Sequence, residues 1–204
     1  MEQKEKDKTV MEETLAKQLG TRYCVLANSY GYACEAAFRA LCATLLGERA
    51  ILPEDEVILS HACDHVMIEA VRACGATPVL LDMGRGERID VSCLENALSP
   101  RTRAVAVQHV GGLFDAKTVR NFCNKYDLWM VENARSWLGE PYDFDGVTYG
   151  AGTIGDVGVS TYSAYVPSDG VVLTRDTTLD ALIREAYDDM TDVFMRRART
   201  STKE

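Results

Sequence analysis

The sequence predicts an α/β domain built on a mostly parallel sheet with helices on both faces. Two observations predict it. Short runs that are apolar on both faces, such as 56–59 and 104–107, recur along the chain, and strands buried on both sides are typical of parallel sheets. Between them lie segments whose apolar residues are spaced three and four apart, and strands alternating with helices build such a sheet. The 204 residues are 47% hydrophobic and 26% charged, enough for one domain with a well-buried core.

The first helix is placed over 10–19, because Met11, Leu15 and Leu19 share a face and Gly20 stops it. A strand over 23–27 and a helix over 33–46 follow. The strand at 56–59 leads into a helix near 64–74, stopped by Gly75. A strand at 78–81 and a short helix over 92–98 come next, with Asp90 or Ser92 as its cap. Then come a strand at 104–107, a helix at 116–126 and a strand at 128–131. Two more strands, near 157–162 and 171–173, precede a long helix from Thr178 to about Arg197. Residues 9–198 form one domain, and 1–8 and 199–204 are expected to be flexible tails.

Composition excludes several functions. No apolar run approaches the roughly 20 residues of a membrane helix. The charged start, 1–8, is followed by no apolar signal core, so a cytoplasmic protein without membrane contact is expected. Net charge is −9, and no basic stripe is interleaved with stacking aromatics, so nucleic acid is not an expected partner. The Arg196-Arg197-Ala198-Arg199 cluster ends a helix and offsets its dipole. Seven cysteines lie apart with no C-x-x-C pair, which suits reduced thiols and argues against zinc. Cys34 and Cys42 fall in an apolar helical stretch and read as small core residues.

Several segments in register carry a resemblance. They are Leu15-Ala-Lys-Gln-Leu-Gly-Thr-Arg-Tyr23, Pro53-Glu-Asp-Glu-Val-Ile58, Gly75-Ala-Thr-Pro-Val79 and Ser99-Pro-Arg-Thr-Arg-Ala104. His109-Val-Gly-Gly-Leu-Phe-Asp115 and Gly152-Thr-Ile-Gly-Asp156 complete the set. From about residue 12 to 187 the chain resembles the DegT/DnrJ/EryC1/StrS sugar aminotransferases. Leu46-Gly-Glu-Arg49 and Lys125-Tyr-Asp-Leu-Trp129 bring it closer to the nucleotide-sugar 3-dehydrase branch. The resemblance implies the large domain of a fold type I PLP-dependent enzyme. Such enzymes are normally dimers with sites at the subunit interface, and they continue into a smaller C-terminal domain that these residues do not include.

Taken residue by residue, the resemblance also implies losses. The relatives' small-residue phosphate turn is here Asn28-Ser29-Tyr30-Gly31-Tyr32-Ala33, in which Ser29 and Gly31 remain but two tyrosines intrude. The ring-stacking aromatic falls on Asp64, which offers no π face and caps a helix instead. The carboxylate that keeps the pyridine nitrogen protonated falls on Asn133, which is uncharged. Glu132 points to the opposite face of the strand and does not replace it. The Schiff-base lysine, a histidine in the dehydrase branch, falls on Val166. The sequence has no lysine between 126 and 202 and no histidine after 109, so no realignment recovers that group. Thr161, aligned with a phosphate-contacting serine, is the best remnant.

His61-Ala-Cys-Asp64-His65 is weighed separately. If helical, His61 and His65 share a face, and Asp64 could join them at a metal or an acid–base site; a polar helix entrance is the plainer reading. His109 reads as part of a structural turn, Trp129 as core, and Trp137 as core or interface. Together these readings predict a catalytically degenerate subunit that binds no PLP alone. It pairs with itself or with a full-length, PLP-carrying relative, which covers Trp137, Leu138, Tyr142, Phe144 and Tyr149. Two alternatives stay open: an active enzyme on a nucleotide sugar, either of the PLP/PMP type or working through rebuilt residues, and a non-catalytic sugar-nucleotide binding module.

Overall fold

The computed structural model describes residues 2–82, 91–110, 115–163 and 166–201. In chain order the elements are α1 (Glu2–Leu19), β1 (Tyr23–Ala27), α2 (Tyr30–Leu41), a 3₁₀ turn (Thr44–Arg49), β2 (Glu56–Ser60), α3 (His65–Ala73) and β3 (Thr77–Leu81). There follow α4 (Val91–Ala97), β4 (Thr102–Gln108), α5 (Ala116–Tyr126), β5 (Trp129–Asn133), β6 (Pro141–Phe144) and β7 (Val147–Gly150). The chain then runs through β8 (Val157–Ser163) and β9 (Val166–Thr174) into α6 (Thr177–Ser201).

Seven strands form one sheet in the order β1-β9-β8-β5-β4-β2-β3. Pairing is parallel from β3 through β2, β4 and β5 to β8, and β9 runs antiparallel to both β8 and β1. The expected mostly parallel α/β sheet is therefore present. One face packs α2, α3 and α6 through Phe38, Leu41, Met67 and Ile183. The other packs α4 and α5 through Leu94, Val105, Phe122 and Met130. Helix α2 is buried on nearly every side, because it lies between the sheet and α6; its alanines let both approach closely.

Caps set the helix starts that position the site. Ser29 Oγ accepts from Tyr32 N at the start of α2, Asp64 Oδ1 from Met67 N at α3, and Asp115 Oδ1 from Thr118 N at α5. Each satisfies a backbone N–H left over by helix geometry. Asp127, in the left-handed region at φ 51°, ends α5.

Four expectations need correction. Helix α1 begins at Glu2 and not near Val10, and α6 reaches Ser201 and does not end near Arg197. Residues 1–8 show no apolar period, but Glu, Lys and Gln favour helices by propensity alone, and Lys8 pairs with Glu12 one turn on, 3.8 Å apart. The helix predicted over 33–46 starts at Tyr30 and ends at Leu41, followed by a 3₁₀ turn broken at Gly47, φ 60°. Cys42 is thus a half-buried helix end, whereas Cys34 is fully buried. Finally, the stretch read as loop forms the β6–β7 hairpin, turned at Asp145-Gly146, both with positive φ. That pair is a strong hairpin signal. Tyr142, Phe144 and Tyr149 pack on the core under α5, and Leu138 on the core beneath α1. All four are partly buried against their own chain. Asp90 lies outside the described residues. No described helix is long and apolar enough to cross a membrane.

Candidate functional site

The carboxyl ends of the central strands meet the starts of α2 and α3, the place where open α/β sheets bind ligands. Asn133 ends β5 and is fully buried; Tyr30 opens α2 and is 4% exposed; Asp64 caps α3. The fold joins these three residues directly. The Tyr30 hydroxyl donates to Asp64 Oδ2 at 2.8 Å and accepts from Asn133 Nδ2 at 2.6 Å. Asn133 Nδ2 also reaches Asp64 Oδ2 at 3.3 Å. The amide orientation is fixed, because Asn133 Oδ1 accepts from Arg135 N at 3.1 Å.

Charge closes the network. Arg135 Nη1 lies 3.8 Å from Asp64 Oδ2, and its guanidinium sits 4.8 Å from the Tyr30 ring centroid. Burial pushes the Tyr30 phenol far above its ordinary pKa, and Cys34 and Asp64 push it further, so the hydroxyl stays protonated and keeps donating. Tyr30→Phe removes that group and leaves buried Asn133 short of an acceptor. It is expected to cost about 1–2 kcal/mol, read as a lower urea midpoint with unchanged slope.

The other positions are also engaged within the chain. Ser29 Oγ is occupied by Tyr32 N. A Cβ on Gly31 would meet only ordinary contacts at 3.7 and 3.8 Å, so no close backbone approach requires glycine there. Thr161 Oγ1 donates to Arg135 O at 3.2 Å. Val166 opens β9 in register with Ser163, and residues 164 and 165 lie outside the described residues.

His61, Asp64 and His65 do not converge. Helix α3 begins only at His65, so His61 is not on its face. His61 Nδ1 faces Asp82 Oδ1 at 3.4 Å, and the exposed His65 faces Glu69 on its own helix at 3.9 Å. Among the described residues no group of three or more His, Cys, Asp or Glu is placed to hold a metal.

Glu132 has a role that alternation along the strand does not reveal. It does face away from Tyr30 and Asn133, into a fully buried site. There Oε1 accepts from Gly152 N and meets His109 Nε2 at 2.9 Å, while Oε2 accepts from Ile154 N and Gly155 N. Burial would push this carboxyl up. The hydrogen bond and charge of His109, with the backbone N–H groups of Gly152 and Gly155, instead hold it below its ordinary range. Gly152-Thr-Ile-Gly-Asp156 is therefore a turn wrapped around a buried carboxylate. Asp156 Oδ2 completes it, taking Arg120 Nη1 and Met130 N, both at 2.8 Å. Trp129 is core as expected, with Nε1 donating to Arg49 O at 2.7 Å.

Known proteins share this arrangement of elements. A sequence profile of the DegT/DnrJ/EryC1/StrS aminotransferase family matches residues 3–188. The lipopolysaccharide biosynthesis protein RfbH of Salmonella typhimurium is 32% identical over 183 residues, which are 87% of this chain and 41% of that protein. A GDP-perosamine synthase of Caulobacter vibrioides is 27% identical over 181 residues, 85% of this chain and 45% of that protein. The chain thus spans less than half the length of these relatives. The solved structure of an aminotransferase from Psychrobacter cryohalolentis superposes with a TM-score of 0.74 at 21% identity, over 86% of this chain and 43% of that one. DesI, solved in the presence of its TDP-sugar product, gives 0.71 at 27% identity, over 87% and 43%. This chain belongs to the DegT/DnrJ/EryC1/StrS aminotransferase family.

Proposed function

We propose that this chain is a catalytically silent family member that holds no PLP of its own. It acts in nucleotide-sugar biosynthesis by pairing with a complete, PLP-carrying relative. The Tyr30–Asp64–Asn133 network carries the reading. In the family pattern Asp64 and Asn133 stand at the ring-stacking and pyridine-nitrogen positions. A phenol bonded to both at 2.8 and 2.6 Å leaves no space for a ring between them. Asn133 supplies no charge for a pyridinium, and Ser29 and Thr161 are spent on backbone groups. The residues present do not fit the cofactor. Nucleotide-sugar chemistry is supported by relatives such as the GDP-perosamine synthase. Pairing is supported by the resemblance to enzymes that build their sites across a dimer.

The cofactor reading is tested by mixing the protein with PLP and reducing with borohydride. No pyridoxylated residue is expected among those lining the network, and modification of surface lysines is irrelevant. Val166→Lys alone is expected to give no transamination, because Tyr30, Asp64 and Asn133 are unchanged; robust turnover by that variant would overturn the reading. For pairing, light scattering after size exclusion with a full-length relative is expected to show a species heavier than either protein alone, with the 22.5 kDa species depleted. A 22.5 kDa monomer both alone and in that mixture would remove the partner.

A further inference from the structure

At the opposite end of the sheet, where β5 begins, lies a cavity of about 400 Å³ lined by Arg49, Arg120 and Arg175 together with Phe144, Tyr149 and Ile154. Trp129 and Asn133 are the two ends of β5, so a strand's length, about 13 Å, separates this cavity from the network above. We propose that it binds an organic anion, with a phosphate or carboxylate held by the guanidinium groups and an apolar body against the aromatic floor.

The donor inventory carries the inference. Arg120 is 14% exposed; its Nη1 is spent on Asp156, while its buried Nε has no hydrogen-bond partner among the described residues. The Nε of Arg49 is likewise buried and unpartnered. It lies 3.3 Å from Asp127 Oδ1 but makes no hydrogen bond to it, and Asp127 is 78% exposed, so that pair is screened by water. Arg49, Arg120 and Arg175 bring three guanidinium groups to the wall of one concavity. Guanidinium groups match phosphates and carboxylates in shape and charge.

The carboxylates facing the cavity do not fill that role. Asp156 Oδ2 already accepts two bonds, and Asp176 Oδ1 caps α6 through Leu179 N. Three cations thus line the cavity beside two engaged anions, with Asp127 at its edge near Arg49. Arg175 is held in place by a bond to Gly20 O and stacks 4.7 Å from the Tyr149 centroid. Phe144 and Tyr149 meet edge to face at 6.0 Å and form an apolar floor. A few aimed polar groups over such a floor are typical of small-molecule sites.

Trp129 provides the readout, because the Arg49 guanidinium lies 3.5 Å from its ring. An anion that draws Arg49 away should change Trp129 emission. In a Trp137→Phe background, phenyl phosphate and benzoate are titrated separately, with phenol and inorganic phosphate as controls. Saturable emission change is expected for at least one organic anion, and which one saturates names the head group. Phenol should give none, and inorganic phosphate should bind at least about tenfold more weakly. Arg49→Gln and Arg175→Gln should each weaken binding by about tenfold or more, whereas Arg72→Gln, on the exposed face of α3, should not. Circular dichroism checks that each variant is folded. Failure of both anions to saturate by about 10 mM, equal binding of phenol, or undiminished binding by both cavity variants would overturn the proposal.

Discussion

Replacing Glu132 with alanine is expected to cost about 3–5 kcal/mol, a large share of the about 5–15 kcal/mol that holds a typical domain folded. The carboxylate is fully buried and takes three backbone N–H groups, from Gly152, Ile154 and Gly155, besides its contact with His109. Alanine would leave all of these donors in an apolar interior with no acceptor, and each such group carries a desolvation penalty. Glu132→Gln should cost less but still destabilise, because its amide nitrogen would face backbone N–H groups. The same carboxylate sets a pH dependence. Its folded pKa lies below the ordinary value of 4.5, so its contribution is complete above that value and is lost as pH falls below it. Urea unfolding at pH 7 should show the full gap between wild type and Glu132→Gln, and the gap should narrow in acid. A loss under about 1 kcal/mol for Glu132→Ala at pH 7 would show that the turn stands without its anion.

Gly158→Ala is expected to cost about 3 kcal/mol or more. Gly158 lies in β8 opposite Glu132, and a Cβ there would run into the carbonyl oxygen of Gly152, with the carbonyl carbon at 2.8 Å and Cα at 3.2 Å. The obstacle is backbone and not a flexible side chain. It is backbone, moreover, that Glu132 pins from the other side, and Gly152 is itself at φ +92°. Relief would mean pulling the turn off the carboxylate. Gly31→Ala is the contrasting control: it meets only ordinary contacts in a helix and should be neutral or stabilising by up to about 1 kcal/mol. Denaturation midpoints of the two variants, measured side by side, check the comparison. Similar midpoints would mean that the β8–turn contact can relax.

These two sites mark where the sequence was legible and where it was not. Strand and helix order could be read because apolar periodicity is local; α5 falls on 116–126 as expected. Asp64 could be read as a cap for the same reason. The hairpin was missed although Asp145-Gly146 announces it, because its two strands are four residues each and the alternation in them is too short to stand out. Facing direction could be read for Glu132, but not purpose, since its three N–H donors come from a turn about 20 residues on. The Tyr30–Asp64–Asn133 network was out of reach for a related reason. Each substitution was visible alone as a loss, but that the three compensate one another is a fact of tertiary distance.

The antiparallel strand β9 has a temporal consequence. Among the described residues, strand β1 stands at the edge of the sheet with β9 as its only neighbour, and Tyr23 is in register with Thr174. During synthesis, β1 emerges early and waits while roughly 150 residues are added, about 8–30 s at 5–20 residues per second. Over that interval it has no partner in the sheet. Helix α1 can shelter it: Glu12 accepts from Leu26 N at 2.8 Å, and only later takes Arg184 from α6. The order of events is thus written into the topology, with local helices first, the parallel strands as they appear, and the sheet closed last by the strand that joins its two ends in time.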